Sequence, residues 1–490
     1  MTIIKLQNLN ETWMRIDTDP GVVQELYDRL SFDVPGAKFM PKFKKRLWDG
    51  KVHLLNKRNN TIHKGLAHYI ESYAKENDYA FVKDFSNASF SEEIAEDFIS
   101  KTKWFNNDKI IEPRDYQLEA IKRGITNKRY IALSPTGSGK SLIIASLIKF
   151  YHDNEDGNIL LICPTTSLVE QMYSDISDYF PYWEPQSKIT RIYSGMVREQ
   201  KRIVISTWQS IYDNPESWFS NFSVVIGDET HLYSAKEVSK LFEKCVNAEY
   251  RFGFTGTLSG QHLHQLQLEG LFGKAFQITT TSKLIKNKQL SDFKINALVF
   301  SYSEKTKKDF KRHSWEEEVQ FIISNEKRNK YIAKLASSLK GNTLVLFSRV
   351  ESHGKVIFDI LKEITDRPVF FIFGGTETEI REDVRKSLDN ITDAIIVASS
   401  QIFSTGINIP TLKNIIFTHP SKSRIKTLQS IGRVLRISDK KSGPSVLFDL
   451  VDDLRYKNKV NYAFNHFKER IKIYAQEDFE YKIIDIELEK

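Results

Sequence analysis

The chain has 490 residues, a length that predicts two to four domains. Its net charge of +8 favours a polyanionic partner such as nucleic acid. The two cysteines, Cys163 and Cys245, fit neither a disulfide framework nor a metal-binding spacing. No apolar run approaches the roughly eighteen residues of a transmembrane helix, and the N-terminus lacks the features of a secretory signal. The sequence therefore excludes a disulfide-rich or membrane-spanning protein, and we expect a cytoplasmic one.

Residues 1–105 are predicted to form a small α+β domain that binds nucleic acid. A basic and aromatic segment within it contains Lys38, Phe39, Lys42, Phe43, Lys44, Lys45, Arg46, Trp48 and Lys51. Clustered cations neutralise phosphates, so we expect contact with nucleic acid above all from Lys42, Lys44, Lys45 and Arg46. A merely solvated basic face is the alternative. We expect the three aromatic side chains to pack in the core, with stacking on unpaired bases as the alternative.

Two series of alternating strands and helices follow a predicted linker at 101–109. Strands are predicted in the first series, residues 106–280, at Ile159–Cys163, Ile203–Ser206, Val224–Asp228 and Arg251–Phe254. Strands are predicted in the second series, residues 281–455, at Thr343–Phe347, Val369–Phe373, Ala394–Ala398, Ile415–Thr418 and Val446–Leu450. Continuous apolar strands between helices indicate parallel sheets covered on both faces. Residues 456–490 are predicted to form a helical extension packed on the second series.

A glycine-rich stretch lies between an apolar run and an apolar-periodic helix, which is the context of a phosphate-binding loop. Its residues are Ser134, Pro135, Thr136, Gly137, Ser138, Gly139, Lys140 and Ser141. The glycines let backbone N–H groups converge on phosphate oxygens, and the helix N-terminus adds partial positive charge. Lys140 would reach the outer phosphates of a nucleoside triphosphate, and the Ser141 hydroxyl would ligate Mg²⁺. An ordinary Gly/Ser turn that contains a lysine is the alternative.

Two adjacent carboxylates, Asp228 and Glu229, end one predicted strand of the first series, where α/β sheets place ligands. We expect Asp228 to hold Mg²⁺ and Glu229 to orient and deprotonate the attacking water. An Asp-Glu pair is also common in surface turns, but this pair follows a buried strand downstream of the phosphate loop. His231, two residues later, is either an ordinary polar residue or part of the same motif.

Arg433 and Arg436 lie three residues apart, so they share one face if their segment is helical. Guanidinium groups bind phosphate in a bidentate manner and keep their charge. Supplied by the second series, these two groups would stabilise charge that develops on a transferring phosphoryl group. A solvated basic helix end is the alternative.

These three motifs, in this order, resemble those of the superfamily two helicases and translocases, and the resemblance covers about Arg114 to Leu450. It implies an α/β fold with two tandem RecA-like parallel-sheet lobes, and ATP hydrolysis with Mg²⁺ that drives movement on nucleic acid. Nucleotide binding is further implied for Arg114, Gln117, Gly406 and Gln429. Nucleic-acid binding is implied for Thr165, Thr166, Thr207, Ser348, Arg349 and Thr405. Coupling of hydrolysis to strand movement is implied for His231, Thr255 and Thr257.

The whole chain also resembles the UvsW-type phage recombination helicases. The shared segments are Phe43–Lys51, Trp208-Gln209, Lys327–Lys330, Ser352–Lys355, Phe403–Gly406 and Gln429–Arg436. This resemblance implies remodelling of branched or forked duplex DNA by branch migration, by fork regression and by dissociation of R-loops or D-loops. It implies a monomer in the host cytoplasm, with recombination or single-strand-binding proteins as partners.

The chain departs from the family pattern at three positions. Ser134 stands where the phosphate loop usually begins with glycine, the carboxylate motif reads Asp-Glu-Thr-His, and Asn408 replaces an acidic residue that contacts ribose in many relatives. Because motifs that grip the backbone carry little base information, an RNA helicase stays open as an alternative. A passive binding or annealing module with a vestigial ATP site is the other alternative.

Overall fold

The computed structural model describes residues 2–34, 36–193, 200–233, 236–258, 262–400, 409, 411–421, 423–435, 437, 441 and 443–489. Side chains are described throughout these ranges except at positions 236, 237, 378, 379, 381, 382, 385, 389, 424–426 and 429. The chain divides into two units, Met1–Ser134 with Gly139–Ile278, and Thr279–Lys490 with Pro135–Ser138. Among the described helices, none has the length and apolarity that crossing a bilayer requires.

The N-terminal domain is a four-stranded sheet with helices. Its strands are β1 (Ile3–Asn8), β2 (Trp13–Asp17), β3 (Ser31–Asp33), β4 (Lys51–His53), β5 (Thr61–His63) and β6 (Ala80–Lys83), and its helices are α1 (Pro20–Arg29), α2 (Pro41–Lys44) and α3 (Ala67–Glu76). The sheet has the order β5-β2-β1-β6, while β3 and β4 form a separate antiparallel pair. In β1, Ile4 and Leu6 are buried whereas Ile3 and Lys5 are exposed, so one face of the sheet covers the core.

The basic and aromatic segment forms the connection from β3 to β4, called the β3–β4 loop, which includes the short helix α2. Its aromatic side chains do not form a core. Phe39 is 70% exposed and Phe43 is 37% exposed, so the expectation of core packing is wrong for both. Trp48 is half-buried and donates from Nε1 to the Lys51 carbonyl at 2.7 Å. The Phe39 ring is therefore largely in solvent, whereas the Phe43 ring lies in part against Gly50 at the base of the loop.

The predicted linker at 101–109 is wrong, because this stretch is folded onto the first lobe. Helix α4 (Glu92–Lys101) precedes a hairpin of β7 (Trp104–Asn106) and β8 (Lys109–Ile111). Trp104 is 4% exposed and donates from Nε1 to Ser146 Oγ at 2.9 Å. A polar, charged composition indicated a linker, but one buried tryptophan is enough to attach the hairpin.

Lobe 1 is a seven-stranded parallel sheet between helices. Its strands are β9 (Arg129–Leu133), β10 (Asn158–Cys163), β11 (Ile189–Ile192), β12 (Ile203–Thr207), β13 (Phe222–Gly227), β14 (Tyr250–Thr255) and β15 (Ala275–Gln277). Its helices are α5 (Asp115–Thr126), α6 (Lys140–Asn154), α7 (Thr166–Tyr179), α8 (Pro185–Lys188), α9 (Trp208–Ile211), α10 (Glu216–Phe219), α11 (Lys236–Lys244) and α12 (His262–Phe272). The four predicted strands are confirmed, and the sheet order is β11-β12-β10-β13-β14-β9-β15.

Lobe 2 is a second seven-stranded parallel sheet. Its strands are β16 (Phe293–Ser301), β17 (Asn342–Phe347), β18 (Val369–Ile372), β19 (Ile395–Ser399), β20 (Leu412–Phe417), β21 (Ser445–Asp453) and β22 (Glu480–Glu487). Its helices are α13 (Thr281–Lys286), α14 (Glu304–Asp309), α15 (Trp315–Ser324), α16 (Glu326–Ser338), α17 (Val356–Ile364), α18 (Thr378–Asn390), α19 (Arg424–Val434) and α20 (Tyr462–Gln476). The five predicted strands are confirmed, and the order is β18-β19-β17-β20-β21-β16-β22.

The two lobes share one topology. When the strands of each lobe are counted in chain order, both sheets have the order third, fourth, second, fifth, sixth, first, seventh. The fold class predicted from the motifs, two tandem RecA-like lobes with a small α+β N-terminal domain, is therefore confirmed. The C-terminal extension contributes more than a helix, because β22 adds an edge strand parallel to β16.

Helix α12 of lobe 1 completes the core of the N-terminal domain. Leu266 is 1% exposed and lies in one apolar cluster with the N-terminal strands. Polar contacts reinforce this attachment, since Glu11 accepts from Lys64 Nζ at 2.9 Å and pairs with Arg129 at 2.5 Å. Burial opposes ionisation of Glu11, but the two cations outweigh it and hold its pKa below the usual value. The N-terminal domain and lobe 1 thus form one packed unit.

Replacing Gly65 by alanine is expected to destabilise this unit by about 1–3 kcal/mol. A Cβ at Gly65 would lie 2.1 Å from the carbonyl oxygen of Glu269, a backbone atom of α12 that cannot move without shifting the helix. Denaturant unfolding measures the effect. Gly21→Ala is the matched control, because nothing lies within 4 Å of its Cβ and alanine favours a helix. Equal stability of the two variants would contradict the close approach of α12.

Candidate active site

The phosphate-loop residues connect β9 to α6. Ser134 is fully buried, and its N–H donates to the Thr255 carbonyl at 2.8 Å, which ties the loop to β14. Ser138 donates from N and Oγ to the Pro135 carbonyl at 3.1 and 2.6 Å. Gly137 and Gly139 have positive φ angles of 85° and 79°, which other residues adopt only with strain. The predicted strand, glycine turn and helix are therefore all present.

Gly139 is needed for a second reason, because α5 lies against the loop. A Cβ at Gly139 would lie 2.3 Å from Nε2 of Gln117, and this amide nitrogen donates to the Gly139 carbonyl at 3.5 Å. The amide oxygen of Gln117 accepts from the Arg114 N–H at 2.8 Å. Arg114 itself donates to the Tyr116 hydroxyl at 2.8 Å. The residues predicted to bind the base thus lie beside the phosphate loop.

Lys140 brings the two nucleotide motifs together. Its ammonium group contacts Glu229 Oε1 at 2.5 Å and Asp228 Oδ1 at 3.9 Å. Asp228 follows the end of β13, and β14 lies between β13 and β9, so these groups meet at the carboxyl edge of the sheet. Lys140, which is predicted to bind phosphate, therefore lies beside the two carboxylates predicted to bind Mg²⁺ and to activate water. In the chain, 88 residues or more separate Lys140 from these carboxylates.

The two carboxylates have different electrostatic environments. Burial raises the pKa of Asp228 to about 6, against the opposing effect of Lys140. Burial would also raise the pKa of Glu229, but Lys140 and His231 outweigh burial and hold it well below its usual value. Glu229 has φ +49°, the left-handed region that a non-glycine residue adopts only at a cost. Its N–H donates to Asp228 Oδ1 at 2.9 Å, which keeps both carboxylates oriented.

His231 connects the carboxylates to the end of β14. It is 4% exposed, lies 3.3 Å from Glu229 Oε2 and shares a 2.8 Å hydrogen bond between Nδ1 and Thr255 Oγ1. Thr255 Oγ1 in turn donates to the Thr257 carbonyl at 3.0 Å. A continuous polar chain therefore joins Glu229 to the predicted coupling residues, although the coupling itself stays a prediction.

Two tyrosines support the site and were not predicted from the sequence. The Tyr233 hydroxyl donates to the carbonyls of Ile162 and Asp228 at 2.7 and 2.6 Å. The Tyr179 hydroxyl lies 3.0 Å from Ser141 Oγ. Neither tyrosine belongs to a motif with a fixed spacing, so only the packed structure reveals them.

The predicted nucleic-acid residues of lobe 1 lie at neighbouring strand ends. Cys163 of β10 pairs with Thr207 of β12, which places Thr165 and Thr166 close to Thr207 in the register of the sheet. Thr165 caps α7 through Oγ1, and Thr166 is exposed. The Thr207 hydroxyl lies 2.9 Å from Ser210 Oγ. In the N-terminal domain, the side chains predicted to contact nucleic acid are all exposed: Lys42, Lys44, Lys45 and Arg46.

Three predicted residues of lobe 2 can be placed. Ser348 and Arg349 follow β17 and are exposed, and Arg349 donates to Gln320 Oε1 at 2.7 Å. Arg433 lies in the last turn of α19 and is half-buried. The remaining predicted positions, Thr405, Gly406, Asn408 and Arg436, lie outside the described residues, as does the side chain of Gln429.

Known families match three parts of the chain. The family described as "DNA helicase UvsW, N-terminal" matches residues 3–84, "Type III restriction enzyme, res subunit" matches residues 110–260, and "Helicase conserved C-terminal domain" matches residues 326–438. These ranges correspond to the N-terminal domain, lobe 1 and lobe 2.

Individual relatives match the whole chain or about two thirds of it. The ATP-dependent DNA helicase uvsW of Enterobacteria phage T4 is 35% identical over 99% of this chain and 100% of its own. The crystal structure of T4 UvsW matches with a TM-score of 0.53 and 33% identity, and the match covers 99% of both chains. The DNA 3'-5' translocase XPB2 of Sulfurisphaera tokodaii is 23% identical over 68% of this chain and 80% of its own. The chain therefore belongs to the UvsW family of superfamily two helicases.

Proposed function

We propose that this helicase hydrolyses ATP to move on DNA and remodels branched DNA by branch migration, fork regression and dissociation of R-loops or D-loops. The observation that carries the proposal is the contact of Lys140 with both Glu229 and Asp228, beside a glycine loop of the phosphate-binding type. Phosphate-loop lysine and paired carboxylates are the groups that hydrolysis of a nucleoside triphosphate needs at one place.

The ion pair between Lys140 and Glu229 suggests the order in which these groups act. Lys140 lies against Glu229, and we infer that a bound outer phosphate draws its ammonium group away from that carboxylate. After that release, His231 still lies 3.3 Å from Glu229 Oε2. The pKa of Glu229 then rises toward its usual value, and a carboxylate of higher pKa is a better acceptor for the proton of the attacking water.

The site contains carboxylate and hydroxyl oxygens of the kind that bind Mg²⁺. Magnesium prefers carboxylate and hydroxyl oxygens, and the chain offers Asp228 and Ser141, each in the nucleotide motifs. When bound with the nucleotide, Mg²⁺ would neutralise charge on the outer phosphates. The roles of Arg433 and Arg436 toward the phosphoryl group stay predictions of the family pattern.

The similarity to T4 UvsW supports DNA as the substrate, and the threonines at the strand ends of lobe 1 support contact with a nucleic-acid backbone. The similarity to T4 UvsW includes the N-terminal domain, which carries the exposed cations. Thr165, Thr166 and Thr207 lie at adjoining strand ends, and the exposed Thr166 offers a hydroxyl group that can hold a phosphate without reading bases. We propose a monomer that acts in the cytoplasm of the host, with recombination or single-strand-binding proteins as partners.

The test compares ATP hydrolysis and strand displacement on a four-way DNA junction, an R-loop, a tailed DNA duplex and a tailed RNA duplex. We expect DNA to stimulate hydrolysis strongly and the junction or R-loop to be processed in preference to the tailed duplex. Activity on RNA alone would assign the protein to RNA unwinding. Hydrolysis that DNA leaves unchanged would instead indicate a passive binding module and contradict the proposal.

A further inference from the structure

The loop between β3 and β4 exposes several large apolar side chains close together, although its fold does not depend on their exposure. Within nine residues, Phe39, Met40, Phe43 and Leu47 are exposed by 70, 43, 37 and 75%. These four side chains are called the apolar set below. Single exposed apolar residues are common on any protein, but four in one short loop mark a surface that contacts another molecule.

The loop holds the apolar set in a defined conformation. Its ends are joined by the hydrogen bond from the Val34 N–H to the Gly50 carbonyl at 2.9 Å. Inside it, the N–H of Leu47 donates to the Lys42 carbonyl at 3.0 Å. A Cβ at Gly50 would lie 3.0 Å from the Phe43 ring, so the loop is packed at its base. Because the loop already holds these side chains in place, binding a partner costs less conformational entropy.

The same loop is strongly basic. Its six cations are Lys38, Lys42, Lys44, Lys45, Arg46 and Lys51, and its one carboxylate is Asp49. All six cations are exposed, and none forms an ion pair with another residue that the structure describes. The Nζ atom of Lys38 lies 5.4 Å from the ring centre of Phe39. Charged groups and apolar side chains are therefore neighbours on this surface.

This combination favours nucleic acid over a protein as the partner. The buried centres of protein–protein interfaces are depleted in lysine, whereas the loop has lysine at four positions between Phe39 and the end of β4. Proteins that bind unpaired nucleic acid combine cations for the backbone with aromatic groups for the bases. Apolar side chains that insert between base steps also hold DNA in a kinked form.

We propose that Phe39 and Leu47 contact bases exposed at the branch point of a DNA junction, while the surrounding cations bind the flanking phosphates. This inference rests on the proposed function and names the structural feature of the DNA that the N-terminal domain recognises. A branch point interrupts the continuous stacking of a duplex, so its bases open to these side chains more readily than those within an intact linear duplex. Phe39 and Leu47 therefore add preference for branched DNA, and the cations add affinity for any DNA.

The test uses the full chain with Phe39→Ala and Leu47→Ala together, and measures affinity for a four-way junction and for a linear duplex of the same length. The double variant should bind the junction about tenfold more weakly and the linear duplex as the wild type does. A 2-aminopurine base at the branch point should change its fluorescence on binding the wild type and change it less with the variant. Both side chains are largely exposed, so the fold should be kept.

Two matched variants separate the roles. Lys44→Ala with Lys45→Ala should weaken binding to both DNAs and reduce the salt dependence of affinity, by about one unit of slope for each phosphate that is no longer neutralised. Ile110→Ala with Ile483→Ala, which removes side chains that are 63% and 54% exposed elsewhere, should change neither affinity.

The inference would be overturned if the Phe39 and Leu47 double variant bound the junction as tightly as the wild type does and gave the same 2-aminopurine signal. An equal loss on the junction and on the linear duplex would also overturn it, because the apolar side chains would then not distinguish the branch. These results differ from failure of the proposed function, which appears in the wild type as hydrolysis that DNA does not stimulate.

Discussion

Replacing Lys140 by alanine is expected to lower the rate of ATP hydrolysis about 100- to 1,000-fold. Lys140 is the ammonium group nearest to both carboxylates, at 2.5 Å from Glu229 and 3.9 Å from Asp228. Without it, the outer phosphates lose a fixed positive charge at the place where negative charge develops. Steady-state hydrolysis in the presence of saturating DNA measures the effect.

Lys149→Ala is the matched control for this variant. Lys149 lies on the same helix, α6, and pairs with Asp153 four residues later, away from the carboxylate motif. Its loss should leave hydrolysis within about twofold, because this partly exposed ion pair lies outside the nucleotide motifs. If Lys140→Ala hydrolysed ATP as fast as Lys149→Ala, the assignment of the phosphate loop would be wrong.

Replacing Glu229 by glutamine is expected to slow hydrolysis about 100- to 10,000-fold and to leave ATP bound. Glutamine keeps the shape of the side chain but cannot take a proton from water. It also releases Lys140 from an ion pair, so the nucleotide should bind as tightly as in the wild type or more tightly. Single-turnover hydrolysis and binding of a fluorescent ATP analogue measure the two effects separately.

The outcome of this variant distinguishes chemistry from structure. Glu249→Gln serves as the control, since Glu249 pairs with Lys128 at 2.6 Å on the surface of the same lobe. Retained binding with lost hydrolysis supports Glu229 as the base. Wild-type hydrolysis would remove it from the mechanism, and joint loss of binding and hydrolysis would reduce it to a support for the loop.

The nucleotide motifs were predictable because their geometry is local. A phosphate loop needs a strand, a glycine turn and a helix in succession, and all three are encoded between Arg129 and Asn154. The buried strands were predictable as well, because each is a continuous apolar run such as Ile159–Cys163 that only a covered parallel sheet accommodates. The two lobes were implied by two strand–helix series together with the resemblance of the motifs to those of superfamily two helicases.

Four strands of the two lobes and the attachment of the N-terminal domain were decided only by tertiary contacts. Strands β11, β15, β16 and β22 were not predicted from the sequence, and β15 has three residues that pair with β9 only because α12 returns the chain there. In the same way, Gly65 shows no local pattern, yet the carbonyl of Glu269 approaches it from a helix some two hundred residues away.

The sequence by itself thus revealed the separate motifs of the nucleotide site and the class of the two sheets, since each motif and each strand is formed by residues that are neighbours in the chain. Tertiary structure decided which side chains remain exposed. Phe39 and Trp104 are both aromatic residues beside lysines, but one is 70% exposed and the other 4%. The difference arises because a helix of lobe 1 lies against Trp104, whereas the loop around Phe39 has no second layer to cover it.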